Sequence, residues 1–349
     1  MGVEIHKDER KPAQTEPLLR IQNLVKHFDI SGGWLDQFSF RGGRFHRKKT
    51  IVRAVNGVSF DIFQGETVSV VGESGCGKST LARTVMGLYA PNSGQIHYLG
   101  SRIDHLSEAA LKPFRTRMQM VFQDPYASLN PRMSVGKILR EPIRFHQPGI
   151  GPSELDQKVS TVMAQVGIDP DWQDRYPHEF SGGQRQRISL ARALAVDPEF
   201  IVADEPIAAL DVSIQAQILN LMMDLQADQG LTYLFISHDL SVVKHISNRV
   251  AVMYLGSLCE LADTATLYQR PLHPYTRALL SAIPRLGGRF KHKKLSGDVP
   301  TPIQLPPGCV FHTRCNYARK RCREEIPQVL ALPEKALVAC HGVEEGWVV

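Results

Sequence analysis

One stretch of the sequence has the residue types and spacing of a phosphate-binding loop. Residues 72–80 fulfil every position of the pattern G-x-x-x-x-G-K-[S/T]. The glycines let backbone N–H groups approach a phosphate, and the start of a following helix favours an anion. We therefore predict that Lys78 reaches the β- and γ-phosphate oxygens of a nucleotide and that Ser79 holds Mg²⁺. The predicted nucleotide-binding residues of this loop are Gly72, Glu73, Ser74, Gly75, Cys76, Gly77, Lys78, Ser79 and Thr80.

The residues on either side predict the strand and the helix that such a loop requires. Residues 67–71 are a short, mostly apolar run typical of a buried strand, and residues 80–88 predict a helix. Because the loop lies between a strand and a helix, a glycine-rich turn that binds nothing is the less favoured interpretation.

An acidic pair follows another predicted strand. Four apolar residues at 200–203 lead into Asp204 and Glu205. Open α/β sheets place their ligands at the carboxyl ends of the strands. Asp204 is therefore predicted to bind Mg²⁺, directly or through water, and Glu205 to act as the general base that polarises an attacking water. An acidic pair after a strand is a weak signal alone, and the phosphate-binding loop upstream strengthens it.

A third motif, Phe-Ser-Gly-Gly-Gln-Arg-Gln at residues 180–186, lies between these two and precedes apolar residues at helical spacing. By itself it is compatible with a plain helix N-cap. Together the three motifs resemble the ATP-binding cassette (ABC) family, whose signature is a Ser-Gly-Gly-Gln run at this position. Further family elements occur in order: Gln123 as the Q-loop, residues 209–211 (Ala-Leu-Asp) as the D-loop, and His238 as the switch histidine.

The resemblance implies ATP hydrolysis in composite sites between two cassettes packed head to tail. The catalytic residues that it implies are Lys78, Gln123, Glu205 and His238. The residues that it implies for Mg²⁺ are Ser79, Gln123 and Asp204. The further nucleotide contacts that it implies, most of them toward the partner's γ-phosphate, are Gln123, Ser181, Gly182, Gly183, Gln184 and Asp211.

Phe28 and the D-loop fit the family pattern less closely than the other motifs do. Phe28 matches the aromatic residue that stacks on adenine in this family, although an inserted loop at 31–49 follows it, and packing in the core is an open alternative. The D-loop carries Ala208-Ala209 where a serine is frequent in the family.

The last third of the chain resembles one branch of the family, the oligopeptide/dipeptide importers. The resemblance is carried by residues 273–280, His-Pro-Tyr-Thr-Arg-Ala-Leu-Leu, and by the tail from Leu295 to Cys309. It implies an ATPase subunit that drives the import of di- or oligopeptides, with ATP closing the dimer and hydrolysis reopening it. The implied partners are a second ATPase subunit, favoured to be a paralogue, two transmembrane permeases and an extracytoplasmic peptide-binding protein. The implied location is peripheral, on the cytoplasmic face of the cell membrane.

A soluble ABC ATPase acting on nucleic acid or ribosomes is the competing class. Repair-type members carry a long coiled coil before the signature and translation-type members carry two cassettes, and this sequence has neither. The formal charge of +6 would suit nucleic acid, but apart from clusters at 44–49 and 289–294 the basic residues are scattered. We therefore expect no nucleic-acid partner. Import of another small solute, such as a nickel chelate or glutathione, also stays open.

Four of the six cysteines lie in the tail: Cys309, Cys315, Cys322 and Cys340. Their C-x₅-C-x₆-C…C spacing resembles the [4Fe–4S] site of some peptide-importer ATPases. Zinc sites usually contain Cys-x₂-Cys pairs, which are absent, but zinc and free thiols remain alternatives. Since this part of the tail has few apolar residues, a cluster would supply stability that a core does not.

The elements that position these groups predict an α/β protein. With the resemblance to the ABC family, the expected parts are a P-loop NTPase (RecA-like) core, an antiparallel β subdomain, an inserted helical subdomain and a small cysteine-containing C-terminal domain. We predict a disordered tail at 1–17, a cassette at 18–285 with its helical subdomain at about 124–195, and the C-terminal domain at 286–349. The chain of 349 residues has no apolar run of about 18 residues and no signal-peptide pattern, so a soluble, cytosolic protein is expected.

Overall fold

The computed structural model describes residues 16–31, 38–41, 44–47, 49–208, 210–283 and 297–348. Most of the predicted N-terminal tail, Ala209 of the D-loop, the basic cluster at 289–294 and the predicted domain boundary near 285 lie outside these residues.

Fourteen strands are described. They are β1 (Leu19–Asp29), β2 (Phe38–Arg41), β3 (Arg44–Arg47), β4 (Ile51–Ile62), β5 (Thr67–Val71), β6 (Ser93–Tyr98), β7 (Ser101–Arg102), β8 (Met118–Val121), β9 (Phe200–Asp204), β10 (Thr232–Ile236), β11 (Arg249–Tyr254), β12 (Ser257–Asp263), β13 (Leu330–Ala331) and β14 (Leu337–Val338).

Twelve α-helices are described. They are α1 (Lys78–Val85), α2 (Glu108–Arg117), α3 (Pro125–Ser128), α4 (Val135–His146), α5 (Pro152–Gln165), α6 (Gly182–Leu194), α7 (Val212–Gln229), α8 (Leu240–Ile246), α9 (Thr264–Gln269), α10 (Pro274–Ser281), α11 (Lys320–Glu324) and α12 (His341–Glu344). Short 3₁₀ helices occur at Pro170–Trp172, Pro177–Glu179, His312–Arg314 and Pro333–Lys335.

The larger sheet has eight strands in the order β13-β14-β12-β11-β5-β10-β9-β8. Its middle part is parallel: β5 pairs with β10 and β11, and β9 pairs with β10 and β8. Every residue of β5, β9 and β10 is buried, as expected for parallel strands covered on both faces. Because parallel strands end at the same edge, the phosphate-binding loop, Glu205 and His238 follow their strands on one side of the sheet.

A second sheet, in the order β4-β1-β6-β7, is antiparallel throughout. Its inward-facing residues, among them Ile21 and Val58, share one apolar cluster with Val70 and Ile236 of the parallel strands. This sheet is the predicted antiparallel β subdomain. It packs against the strand that leads into the phosphate-binding loop, so the two sheets support the loop together.

Four helices, α3 to α6, lie between β8 and β9 and form the inserted helical part of the fold. One face of α5 is apolar and buried. Its members are Leu155, Val159, Val162 and Met163, with Val166 just beyond the helix. These side chains pack in one cluster with residues of α4 and α6, so this face of α5 is part of the core.

The C-terminal segment packs against the larger sheet. Strand β14 pairs with β12 and thereby extends the larger sheet, and β13 pairs with β14. Phe311 and Ala336 are buried in the cluster that contains Tyr254 of β11 and Tyr275 of α10. The apolar side chains of this segment therefore pack into the core around the larger sheet.

Candidate functional site

The phosphate-binding loop connects β5 to α1 in a conformation that requires glycine at two positions. Gly72 and Gly77 have φ angles of 154° and 106°, a region that favours glycine. A Cβ added to Gly77 would lie 2.0 Å from the Ala54 carbonyl oxygen, and one added to Gly72 would lie 2.2 Å from that of Met253. At Gly72 and Gly77 the backbone is therefore packed too closely against neighbouring carbonyl groups for a residue with a Cβ atom.

The ammonium group of Lys78 lies under this loop. Its Nζ donates hydrogen bonds to the carbonyl oxygens of Gly72, at 2.9 Å, and of Glu73, at 3.1 Å. The side chain is buried, at 5% exposure. A cation in this position fits the cradle of a phosphate, which is the role predicted for Lys78.

Ser79 and Asp204 form the candidate Mg²⁺ ligands. Ser79 Oγ donates a hydrogen bond to Asp204 Oδ1 at 2.7 Å. The other carboxylate oxygen, Oδ2, is buried without a hydrogen-bond partner, and Arg83 Nη2 is 3.8 Å away. Burial raises the pKa of Asp204, although the hydrogen bond from Ser79 and the charge of Arg83 oppose this shift. An unsatisfied carboxylate oxygen beside a serine hydroxyl fits Mg²⁺, which binds hard oxygen ligands and keeps several waters.

Three predicted catalytic side chains meet at one oxygen atom, Oε2 of Glu205. Gln123 Nε2 donates to it at 3.0 Å, and His238 Nδ1 is 3.3 Å from it. Glu205 has a φ of 48°, an uncommon backbone conformation for a residue other than glycine and one that occurs at functional sites. Its backbone N–H donates to the Ile236 carbonyl at the end of β10, which fixes it beside His238.

The signature motif forms the start of α6. The Ser181 hydroxyl accepts from the Gln184 backbone N–H at 3.3 Å, and the Gln184 side chain accepts from the Ser181 N–H at 2.9 Å, a reciprocal capping box. Gly183 packs on α7, since an added Cβ would lie 2.5 Å from Ile214 Cγ2. Within the described ranges, the Ser181 side chain hydrogen-bonds only to Gln184, and the Gln184 side chain only to Ser181. The structure therefore does not bring this motif to the chain's own phosphate-binding loop.

Asp211, predicted from the D-loop, lies at the N-cap position of α7 and is exposed. The segment before it is held by Gln215, whose Nε2 donates to the carbonyl oxygens of Ile207 and Leu210. Asp211 therefore faces solvent at the end of a supported turn.

Phe28 lies at the end of β1 in contact with Tyr89. The two rings meet edge to face with centroids 5.2 Å apart, and the Lys26 ammonium is 4.9 Å from the Phe28 centroid. Phe28 is partly buried, so it is packed on one side and accessible on the other. Its role in adenine stacking stays a prediction.

The sequence patterns did not single out three residues that contact this site. Arg83 is one turn after Ser79 on α1, so helical spacing could have identified it. Arg314 binds the Glu73 carboxylate and Tyr275 accepts from the Glu73 backbone N–H. Both are more than 200 positions from Glu73 along the chain, and no local pattern reports such a contact.

The four cysteines of the tail line one cavity of about 20 Å³, which has room for roughly one water. Burial raises the pKa of the Cys309 thiol to about 12 and that of the Cys315 thiol to about 11. Across the part of the chain that the structure describes, no three His, Cys, Asp or Glu side chains form a group that could hold a metal ion. The predicted [4Fe–4S] cluster at Cys309, Cys315, Cys322 and Cys340 is therefore not supported, and neither is its zinc alternative; these four cysteines form no disulfide.

Every helix within the described ranges is too short or too polar to span a lipid bilayer.

Two protein families match the sequence. Residues 55–208 match the family described as ABC transporter. Residues 259–322 match the family described as oligopeptide/dipeptide transporter, C-terminal region.

Curated relatives align over nearly the full length of the chain. The oligopeptide transport ATP-binding protein AppF of Bacillus subtilis is 52% identical over 334 residues, which cover 94% of this chain and 98% of the relative. The di/tripeptide transport ATP-binding protein DppF of Pseudomonas aeruginosa is 48% identical over 332 residues, which cover 95% and 99%.

Solved structures share the fold of the cassette. CbiO1 from Clostridium perfringens, part of an ABC transporter complex, has a TM-score of 0.60 at 25% identity and covers 73% of this chain and 91% of its own. A dimeric ATP-binding cassette in a post-hydrolysis state with ADP and phosphate has a TM-score of 0.59 at 25% identity, covering 70% and 98%.

Proposed function

Because this chain belongs to the ABC transporter family, in its oligopeptide/dipeptide branch, we propose that it is the ATP-hydrolysing subunit of a membrane importer of di- or oligopeptides. The observation that carries the proposal is the meeting of Gln123, Glu205 and His238 beside the phosphate-binding loop, in a chain about half identical to peptide-transport ATP-binding proteins. These relatives favour the importer over an ATPase that acts on nucleic acid or ribosomes.

The chain's own residues divide the work of hydrolysis. The glycine-rich loop and Lys78 bind the β- and γ-phosphates of ATP, and Ser79, Asp204 and Gln123 would hold Mg²⁺. Mg²⁺ supplies positive charge that offsets the charge of the phosphates. Glu205 accepts a proton from the attacking water, which makes the water a better nucleophile toward the γ-phosphorus.

Gln123 and His238 orient the carboxylate of Glu205. Both contact the same oxygen of Glu205, so they restrain the carboxylate that must meet the water. The His238 side chain is 59% exposed, which leaves it accessible to a γ-phosphate or to a second subunit.

A second cassette would complete the site. Ser181, Gly182, Gly183 and Gln184 begin a helix whose N-terminus favours an anion, yet the side chains of Ser181 and Gln184 bond only within their own cap. We infer that they approach the γ-phosphate bound by a partner cassette packed head to tail, with the exposed Asp211 at the same junction. ATP between the two chains then favours the closed dimer, and hydrolysis removes that contact and reopens it.

The further partners are proposed on the same basis. They are two transmembrane permeases, an extracytoplasmic peptide-binding protein and a second ATPase that is a paralogue of this chain. Helices α3 and α4 follow Gln123 directly, so this face is suited to transmit the state of the nucleotide to a permease. The chain would then be a peripheral protein on the cytoplasmic face of the membrane.

Transport by the reconstituted complex tests the proposal. The proteoliposomes contain this chain, the second ATPase and the two permeases encoded beside its gene, and the peptide-binding protein. They should take up a labelled di- or tripeptide only when ATP is supplied on the side on which the ATPases lie. The Lys78→Ala variant should abolish both uptake and hydrolysis, while Lys320→Ala, a change at an exposed lysine of the tail, should leave both intact. Peptide uptake at the wild-type rate by Lys78→Ala would refute the proposed function.

A further inference from the structure

The phosphate-binding loop contains an acidic residue, Glu73, beside the place where a polyphosphate would bind. Its backbone carbonyl accepts from Lys78 Nζ, so Glu73 is one residue of the cradle itself. A free carboxylate here would repel the phosphates of ATP, because like charges at short range in a partly buried site raise each other's free energy. The loop therefore needs an opposite charge near Glu73.

The C-terminal segment supplies that charge through Arg314. Arg314 Nη1 donates to Glu73 Oε2 at 2.7 Å and Nη2 donates to Oε1 at 3.1 Å, a bidentate pair. The Arg314 side chain is 7% exposed and that of Glu73 is 25% exposed, so solvent screens the pair weakly. Bidentate arginine–carboxylate pairs of this kind are among the stronger and more directional hydrogen-bonded pairs in proteins.

Aromatic side chains fix both partners of this pair. The Tyr254 hydroxyl lies 3.4 Å from Arg314 Nη1, and the Tyr275 hydroxyl accepts from the Glu73 backbone N–H at 2.9 Å. The ring of Phe311, three residues before Arg314, packs against both tyrosines with centroids 5.2 Å away. The guanidinium is thus held toward the loop by packing as well as by charge.

We propose that Arg314 is a positioning residue of the ATP site, which neutralises and orients Glu73 so that the phosphate-binding loop can accept a polyphosphate. This inference rests on the proposed function, since it concerns ATP at the same loop. It gives the C-terminal segment a share in nucleotide affinity, whereas its sequence position beyond every ATP motif indicates only a structural attachment.

The proposal predicts how substitutions at Arg314 and Glu73 combine in their effect on ATP affinity. Arg314→Met removes the positive charge and leaves the Glu73 carboxylate unpaired, so ATP should bind about tenfold more weakly, which corresponds to the loss of one hydrogen bond to a charged group. Glu73→Gln serves only as the second change in a double variant, because Glu73 belongs to the loop that binds the phosphates. The double variant should then recover most of the affinity lost in Arg314→Met.

The experiment measures the dissociation constant of Mg²⁺–ATP on the purified full-length chain, and KM and kcat in the assembled complex. Arg321→Met is the matched control, because Arg321 is also a paired arginine of the C-terminal segment but binds Glu325, Glu344 and Glu345, away from the loop. Arg314→Lys keeps the charge without the bidentate geometry and should lose about threefold in affinity. The expected signature is a raised KM with kcat within about twofold of the wild type.

Two results would overturn the inference. One is an ATP affinity of Arg314→Met equal to those of the wild type and Arg321→Met. The other is a double variant that binds as weakly as Arg314→Met, because a role limited to folding would not be relieved by removing the carboxylate. Melting temperatures identify a folding defect, and if Arg314→Met does not fold, Arg314→Lys and the double variant carry the test. Failure of the wild type to bind ATP at all would instead refute the proposed function.

Discussion

At the scale of single residues, the proposed chemistry depends on one carboxylate oxygen of Glu205 that two side chains hold in place. Glu205→Gln retains the shape of this side chain and removes its ability to take a proton. We expect this variant to bind ATP normally and to lose about 10²–10⁴-fold in hydrolysis, the usual contribution of a general base. Steady-state hydrolysis and nucleotide binding, measured on the same preparation, check both parts.

Glu154→Gln offers a matched control for this test, since Glu154 is an exposed acid in the first turn of α5. It should hydrolyse ATP at the wild-type rate. Hydrolysis by Glu205→Gln within about threefold of the wild type would show that another group is the base.

Replacing Asp204 should have opposite effects on the stability of the fold and on ATP hydrolysis. Burial raises its pKa above the ordinary value of 3.8, so in the absence of nucleotide the charged form disfavours the folded state. This penalty is absent below pH 3.8 and complete once the pH exceeds the raised pKa of the folded state. Asp204→Asn should therefore melt at a higher temperature than the wild type at pH 7 and still lose hydrolysis.

Thermal unfolding between pH 4 and pH 8 measures this effect. The difference in Tm should widen as the pH rises, whereas Asp171→Asn, a change at an exposed acid, should show no such trend. A lower Tm for Asp204→Asn at pH 7 would contradict the prediction.

The sequence predicted the residues of the site better than their contacts. Lys78, Ser79, Asp204 and Glu205 belong to motifs whose spacing reflects one strand–loop–helix unit and one strand end, so a linear pattern can report them. The ion pair between Glu73 and Arg314 joins positions 241 apart, and only the fold brings them together.

At the scale of elements, the N-terminus of α6 gives the sharpest test of a composite site. Ser181→Arg places a long cation where a partner's γ-phosphate would lie and removes one half of the capping box. We expect the isolated chain to bind ATP as before, because the signature makes no contact with its own loop, and the assembled complex to lose hydrolysis. Binding measurements on the chain and hydrolysis by the complex give the two readouts.

Ser153→Arg is a comparable change in the first turn of α5, at an exposed position, and should alter neither property. If Ser181→Arg weakened ATP binding to the isolated chain as strongly as Lys78→Ala does, the signature would belong to the chain's own site and the head-to-tail arrangement would be wrong.

The central strands were predictable and the peripheral ones were not. Strands β5, β9 and β10 are short, mostly apolar runs buried on both faces, and such runs are detected from the sequence. The short strands β13 and β14 have only two residues each and exist because β12 offers an edge for pairing. Tertiary context, which no local pattern contains, determines such elements.

At the scale of the whole molecule, the exposed aromatic residues after Gln123 mark the surface that we expect a permease to meet. Tyr126 of α3 is 64% exposed and Phe145 of α4 is 61% exposed. A photoreactive phenylalanine analogue at position 126 should crosslink to a cytoplasmic loop of a permease in the assembled complex, with a yield that changes when ATP is added. The same analogue at the exposed position 157 on α5 is the control and should give a yield that does not respond to ATP. No crosslink from position 126 in a complex that transports peptide would exclude this surface.

The long-range pair between Glu73 and Arg314 also has a consequence for biosynthesis. The ribosome makes the phosphate-binding loop early, but the strands on both sides of β5 follow more than 160 positions later, and the arginine that pairs with the loop follows 241 positions later. Contacts of such large sequence separation form slowly, because a long chain segment must close before they stabilise anything. For most of translation, the phosphate-binding loop of a nascent chain therefore lacks the neighbouring strands and the arginine that support it. A product that terminates before residue 314 would bear a loop with an uncompensated acid, so premature termination would yield a chain with weakened affinity for ATP rather than an unregulated ATPase.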